Sequence, residues 1–130
     1  MLALGGKARG TGLAEAARLL DSGEAWRKFE AICAAQGGMR SLPVASFTRD
    51  FTAPSRSRVA AIDNRKLSRV AKLAGAPVSP AAGLEMRART GDIVAKGQPL
   101  FTLHAQTPGE MAYAAEYAEG HGAPFQLEPV

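Results

Sequence analysis

The chain has 130 residues, enough for one globular domain and a small appended segment but short for a complete metabolic enzyme. Hydrophobic residues make up 46% of it and charged residues 22%, which indicates a packed core and excludes wholesale disorder. No run of about 18 apolar residues occurs, so no membrane span is predicted. The single cysteine, Cys33, excludes an internal disulfide. Since the N-terminus also lacks signal-peptide features, we expect a cytoplasmic protein.

Two short helices are predicted in the N-terminal part of the chain. The first covers Leu13–Leu20, where apolar residues recur on one helical face. The second begins at Glu24, with Ser22 as its N-cap, and ends at Gln36–Gly38, where glycine provides a left-handed C-cap. Helices this short are marginal in isolation. Residues 1–40 are therefore interpreted as a helical segment whose apolar faces need a partner to pack against.

Residues 41–130 are predicted to form a second, β-rich domain. Strand-like composition or alternation marks residues 44–51, 59–62, 84–88, 93–94, 100–105 and 125–127. Asp63 or Asn64 is expected to cap a helix that ends at Gly75. A further helix starts with a capping box, in which Thr107 is the N-cap and Glu110 its partner.

The most informative motif is residues 90–101, in which Gly91 and Gly97 flank a short strand. Glycines at such positions indicate tight corners in a small twisted barrel. The pattern resembles the barrel-sandwich hybrid of biotinyl and lipoyl carrier domains. The predicted fold class is α+β, with a barrel-sandwich hybrid-like domain (swollen biotinyl/lipoyl-like, or α/β-hammerhead) after the pair of short helices.

A carrier would present its modified lysine in an exposed hairpin, whereas Lys96 belongs to a turn and Met86 is followed by Arg87. A free-standing carrier or binding module stays as an alternative.

The net charge of +4 is concentrated in one stretch of the chain. Its basic residues are Arg49, Arg56, Arg58, Arg65, Lys66, Arg69 and Lys72, and its only acidic residues are Asp50 and Asp63. Such a run fits a small nucleic-acid binder that uses Arg56 to Lys72, and it also fits the solvated faces of a strand and a helix. Because no aromatic residue lies between Arg56 and Lys72, the second interpretation is favoured and no nucleic-acid partner is expected.

The chemically reactive residues all have structural explanations. Asp63, Asp92 and Glu110 fit a helix cap, a turn and a capping box. His104 ends a strand, and His121 lies in a glycine-bounded tail with no spacing typical of a metal site. Gly5-Gly6-Lys7 lacks the sequence of a phosphate-binding loop. We therefore predict no catalytic, cofactor-binding or metal-binding residues in this chain.

The order of several short motifs resembles the C-terminal domain of nucleoside phosphorylases of the thymidine phosphorylase family, in the long branch related to archaeal AMP phosphorylases. These motifs are Ala61–Asn64 before a helix, Leu73–Pro77, Ala82–Gly83, the Gly-Asp corner and Leu103–Ala105. Leu2–Ala8 and Ala35–Gly38 resemble the segment that lies just before this domain in the family. The resemblance therefore implies that residues 1–40 belong to the end of a preceding α/β domain.

The resemblance implies a pentosyltransferase, in which phosphate attacks the anomeric carbon of a nucleoside and releases the base and a sugar 1-phosphate. It also implies that the reactive residues lie in α and α/β domains before this segment, so the isolated chain is expected to be inactive. Phosphate would be a co-substrate and no cofactor is implied. The implied partners are those domains of the same polypeptide, and the whole protein is expected to be a homo-oligomer. Thymidine, uridine and AMP all stay open as substrates.

Overall fold

The computed structural model describes residues 11–120 and 122–130. These residues form two compact units, one ending at Ser41 and the other beginning at Leu42. The first unit contains the helices α1 (Gly12–Asp21) and α2 (Glu24–Ala35). The second contains β1 (Phe47–Thr52), β2 (Ser57–Ile62), α3 (Asn64–Leu73), β3 (Gly83–Met86), β4 (Ile93–Val94), β5 (Pro99–Ala105), α4 (Pro108–Gly120) and β6 (Phe125–Pro129). No helix in the described ranges is long and apolar enough to span a membrane.

Both predicted N-terminal helices are present, but the predicted cap of α2 is wrong. The residue before the helix is Gly23, which has a φ of 72° and supplies no side chain. The Ser22 hydroxyl accepts from the Glu24 backbone N–H only at 3.4 Å. Glycine reaches this left-handed conformation without steric cost, so the chain turns tightly between α1 and α2. The predicted glycine stop is confirmed, because the backbone N–H of Gly38 donates to the Cys33 carbonyl at 2.8 Å.

The second unit is built from two antiparallel three-stranded sheets, in the orders β1-β5-β3 and β4-β2-β6. Together with the helices they confirm the α+β class. The described strands form two separate sheets and do not close into a single barrel. The predicted start of the first strand at Val44 is wrong, since β1 begins at Phe47 and Val44 is 86% exposed. Pairing with β5 starts at Phe47, opposite Ala105, so composition alone misplaced the strand start by three residues.

The two predicted glycine corners lie where one part of the chain hydrogen-bonds to a distant one. At the first corner, the Gly91 N–H donates to the Val59 carbonyl at 2.8 Å, and the Val59 N–H donates to the Asp92 carbonyl at 2.9 Å. At the second, the Gly97 N–H donates to the Ala53 carbonyl at 2.8 Å. Gly91 and Gly97 have φ values of 95° and 81°, which only glycine adopts easily. The corners therefore join β4 to β2 and the start of β5 to the end of β1.

The core of this unit is made chiefly of alanine, valine, leucine and phenylalanine. Phe101 is 1% exposed and lies between the rings of Phe51 and Phe125, with centroids 4.5 Å and 5.9 Å away. Helix α3 buries Leu67 and Val70, and α4 buries three alanines. The predicted caps of both helices are confirmed, by Asp63 for α3 and by the Thr107–Glu110 capping box for α4.

Candidate functional site

The acidic residues singled out in the sequence each hold backbone structure in place. The Asp63 carboxylate accepts from the backbone N–H groups of Arg65 and Lys66, both at 3.0 Å. Asp92 accepts from the Arg89 N–H at 2.8 Å. Glu110 accepts from the Thr107 N–H at 3.1 Å and from its hydroxyl at 2.9 Å. These carboxylates lie at a helix start, a corner and another helix start, and none of them lines the cavities described below.

His104 lies on β5, with its Nε2 3.8 Å from the Oε2 of Glu85 on β3. Glu85 also accepts from the Arg87 guanidinium at 2.8 Å. The neighbouring cavity is shallow, about 260 Å³, and is otherwise lined by the backbone and apolar atoms of residues 81–84. His121 and Gly5-Gly6-Lys7 lie outside the described residues. Within the described ranges, no three His, Cys, Asp or Glu side chains are close enough to hold a metal ion.

One polar network was missed by the sequence reasoning. The Thr102 hydroxyl on β5 donates to the Asp50 carboxylate on β1 at 2.7 Å and accepts from the Nε of Arg87 at 3.2 Å. Thr102 is only 6% exposed, and these bonds satisfy its hydroxyl. Asp50, Thr102 and Glu85 are directly opposite one another in the sheet register. The register depends on long-range pairing, so nothing in the local sequence could have indicated it. The network ties β1, β5 and the segment after β3 together.

A groove of about 520 Å³ in the second unit lies between β1, the end of α4 and β6. Phe51, Phe101 and Phe125 are among its lining residues. The Arg49 guanidinium lies 5.1 Å from the centre of the Phe51 ring and donates to the Glu119 carboxylate at 2.5 Å. This ion pair joins the edge strand to α4. The groove is therefore mainly apolar, with a neutralised charge pair at its rim.

The structure divides the basic run of the sequence among different surfaces. Arg49 pairs with Glu119, and Lys66 Nζ donates to the Gly122 carbonyl at 3.4 Å. Arg65, Arg69 and Lys72, in contrast, line one shallow cavity of about 320 Å³ along α3. Only part of the run is therefore available as a common basic surface.

Lys96, the lysine weighed as a carrier position, is exposed in the turn between β4 and β5. These two strands belong to different sheets. The turn therefore links the sheets and is not the tip of a hairpin formed by two neighbouring strands.

Comparison with known proteins shows which protein family the chain is similar to. Residues 58–121, which include most of β2 and all of α3, β3, β4, β5 and α4, match the family described as "Pyrimidine nucleoside phosphorylase C-terminal domain". "Putative thymidine phosphorylase 1" of Acidovorax sp. (strain JS42) is 56% identical over 128 residues, and "Putative thymidine phosphorylase 2" of the same strain is 54% identical over 128 residues. A protein with the same descriptive name from Parvibaculum lavamentivorans is 52% identical over 130 residues.

The chain belongs to the pyrimidine nucleoside phosphorylase family and corresponds to its C-terminal domain region. The two Acidovorax matches each cover 98% of this chain but only 25% of the relative. The chain thus spans about a quarter of the length of these relatives, which are named as putative thymidine phosphorylases. The identity predicted from short motifs is confirmed at the level of the family.

Proposed function

We propose that this chain is the C-terminal accessory domain of a thymidine phosphorylase-type enzyme and carries no catalytic residue itself. In the whole protein, phosphate would cleave a nucleoside to a base and a sugar 1-phosphate. The chain would contribute by packing against the catalytic domains of the same polypeptide, where closure around the substrates excludes water. The single observation that carries this proposal is the similarity to two proteins named as putative thymidine phosphorylases. They are 54% and 56% identical over 128 residues, which cover 98% of this chain and 25% of each relative.

The exposed apolar side chains of the first unit support a packing role. Neither α1 nor α2 has a buried residue. Leu13 is 84% exposed, Leu20 is 70% exposed and Trp26 is 54% exposed. Burying a leucine side chain stabilises a protein by about 1.5–3 kcal/mol relative to exposing it. Helices with such residues gain from a covering partner, and we propose that the preceding α/β domain covers them.

The chemistry of the second unit supports the absence of a catalytic role. General acid–base catalysis needs a titratable group within hydrogen-bonding reach of a bound substrate. Asp63, Asp92 and Glu110 are already engaged by backbone N–H groups at 2.8–3.1 Å. We propose that the chain holds no catalytic, cofactor or metal site, and that phosphate is a co-substrate bound by other domains.

We further propose a barrel-sandwich hybrid architecture for the second unit. Its two sheets are linked by paired glycine corners, in which Gly91 and Gly97 bond to Val59 and Ala53 in equivalent ways. Such corners are typical of small barrels that bend sharply.

The whole protein is proposed to be a cytoplasmic homo-oligomer. Thymidine is the preferred substrate in this proposal because the relatives are named for it, and AMP is the alternative implied by the family resemblance.

Calorimetric titration of the isolated chain tests the accessory role. We expect no saturable heat with thymidine, AMP or inorganic phosphate, because the groups that bind them lie in other domains. Saturable heat with a nucleoside would contradict the proposal. Intact-mass measurement of the chain from its native source is the matching control, since a covalent adduct on Lys96 would indicate a carrier instead.

A further inference from the structure

We propose that one exposed face of α3 binds single-stranded nucleic acid, although the basic run in the sequence by itself led us to expect no nucleic-acid partner. This function goes beyond the proposed accessory role and does not depend on it. This α3 basic face consists of Asn64, Arg65, Ser68, Arg69 and Lys72, which line a common shallow cavity of about 320 Å³. Every one of these side chains can donate a hydrogen bond, and three of them carry a positive charge. The cavity therefore presents donors and positive charge to an anion.

The packing of α3 forces these residues outward. Leu67, Val70 and Ala74 are 6%, 0% and 0% exposed and lie on the inward face. The five residues of the basic face are all exposed, at the helical spacing that places them opposite the buried residues. The α3 basic face is thus held in position by a well-packed core and is open to solvent within this unit.

The positive charges of this face are not neutralised by neighbouring carboxylates. The sequence of α3, Asn64–Leu73, contains no acidic residue. The nearest acidic residue in the chain, Asp63, accepts from the backbone N–H groups of Arg65 and Lys66. Among the described residues, no salt bridge within 4 Å includes Arg65, Arg69 or Lys72. The three cations are available for a ligand.

The length of the face favours a ligand with several phosphates over a single ion. Arg65 and Lys72 are seven residues apart, a rise of roughly 10 Å along the helix. That length covers about three phosphates of a strand that keeps the ~3.4 Å axial spacing of a stacked, helical nucleic acid. Guanidinium groups suit phosphate because their planar fork can donate two parallel hydrogen bonds.

An exposed aromatic ring beside the face favours a nucleic acid over an acidic protein segment. Tyr113 on α4 is 68% exposed and lines a cavity of about 340 Å³ together with Arg69. Glu116 lines the same cavity, and none of the ion pairs within 4 Å among the described residues joins it to Arg69. Its negative charge disfavours a phosphate there, whereas an uncharged base can stack on the tyrosine ring. Basic residues along a backbone and an aromatic platform for bases are the usual elements of single-strand binding.

The test is fluorescence anisotropy of a labelled single-stranded oligonucleotide with the full 130-residue chain over a series of salt concentrations. We expect log K to fall with log salt at a slope of about −2, since each of three phosphate contacts contributes about −0.7. The triple variant Arg65→Gln, Arg69→Gln, Lys72→Gln should lose at least about tenfold in affinity at low salt. The variant Tyr113→Ala should lose about fivefold, and Tyr113→Phe should retain binding because the ring is kept.

A charge-matched control variant distinguishes this face from general attraction. Lys28→Gln, Arg40→Gln, Lys96→Gln removes the same charge from exposed positions elsewhere and should change affinity less than twofold. Equal losses in the two triple variants would overturn the proposal, as would the absence of binding at low salt. Equally tight binding of poly-glutamate would assign the face to an acidic protein instead. Unchanged binding by Tyr113→Ala, or tighter binding of a duplex, would overturn the single-strand assignment.

Discussion

The ring of Phe101 lies parallel to that of Phe51, with centroids 4.5 Å apart and an interplanar angle of 6°. Phe101 is on β5 and also stacks on Phe125 of β6, so its side chain links the two sheets. We expect Phe101→Ala to lower the free energy of unfolding by about 3–5 kcal/mol, because it leaves a cavity in the core. Chemical denaturation measures this. Tyr113→Ala, at an exposed ring, is the control and should cost under about 0.5 kcal/mol; similar losses in both variants would contradict the assignment of the core.

The cap of α3 gives a second prediction. Asp63→Ala should destabilise the chain by about 1 kcal/mol, because the carboxylate that accepts from two backbone N–H groups is lost. Asp63→Asn should retain most of the stability, since its amide oxygen can still accept. Thermal unfolding of both variants checks this. A loss as large for asparagine as for alanine would show that the charge matters more than the hydrogen bonds.

Alanine substitutions at two glycines distinguish the cost of backbone strain from the cost of steric crowding. Gly97 has a φ of 81° and open space around a would-be Cβ, so Gly97→Ala should cost about 1–2 kcal/mol from strain alone. Gly75 has a φ of 112°, and a Cβ there would lie 3.0 Å from Glu110 Oε1 and 3.2 Å from Ser79 Cβ. Gly75→Ala should therefore cost more than Gly97→Ala. Equal costs in denaturation measurements would show that Glu110 and Ser79 move aside freely.

The Glu24 carboxylate gives a prediction about pH. Hydrogen bonds from Arg18, and then from Ser22, hold the pKa of Glu24 below its usual value. A lowered carboxyl pKa contributes stability above the ordinary pKa, and that contribution is lost as the pH falls through the lowered value. Arg18→Gln should raise the Glu24 pKa toward the ordinary range, as measured by NMR titration. An unchanged pKa would contradict the role of Arg18, and Arg40→Gln serves as the control.

Local signals in the sequence predicted the helices and corners of this fold well. The Thr107–Glu110 capping box, the Asp63 cap and the corners at Gly91 and Gly97 all depend on residues close together in the chain. Their conformations follow from short-range hydrogen bonds and backbone sterics, which the sequence displays directly. The cap of α2 was the exception, because Gly23 replaced the side-chain cap expected from Ser22 with a left-handed turn.

Long-range relationships could not be predicted in the same way. The bond between Thr102 and Asp50 joins residues 52 positions apart, and the pair of Arg49 and Glu119 joins residues 70 apart. These contacts require the strand order β1-β5-β3 and the packing of α4, which local pattern does not specify. For the same reason the basic run could not be divided into paired and unpaired charges from the sequence.

The most direct measurement of the central claim is thymidine phosphorolysis by a chimera. In "Putative thymidine phosphorylase 1" of Acidovorax, the 128 matching residues would be replaced by this chain or deleted. We predict activity in the chimera, none in the deletion variant and none in the isolated chain. Within the chimera, Leu13→Gln with Leu20→Gln should reduce activity more than the control Val44→Gln with Val78→Gln, which alters residues outside α1 that are at least as exposed. Full activity in the deletion variant, or turnover by the isolated chain, would contradict the account.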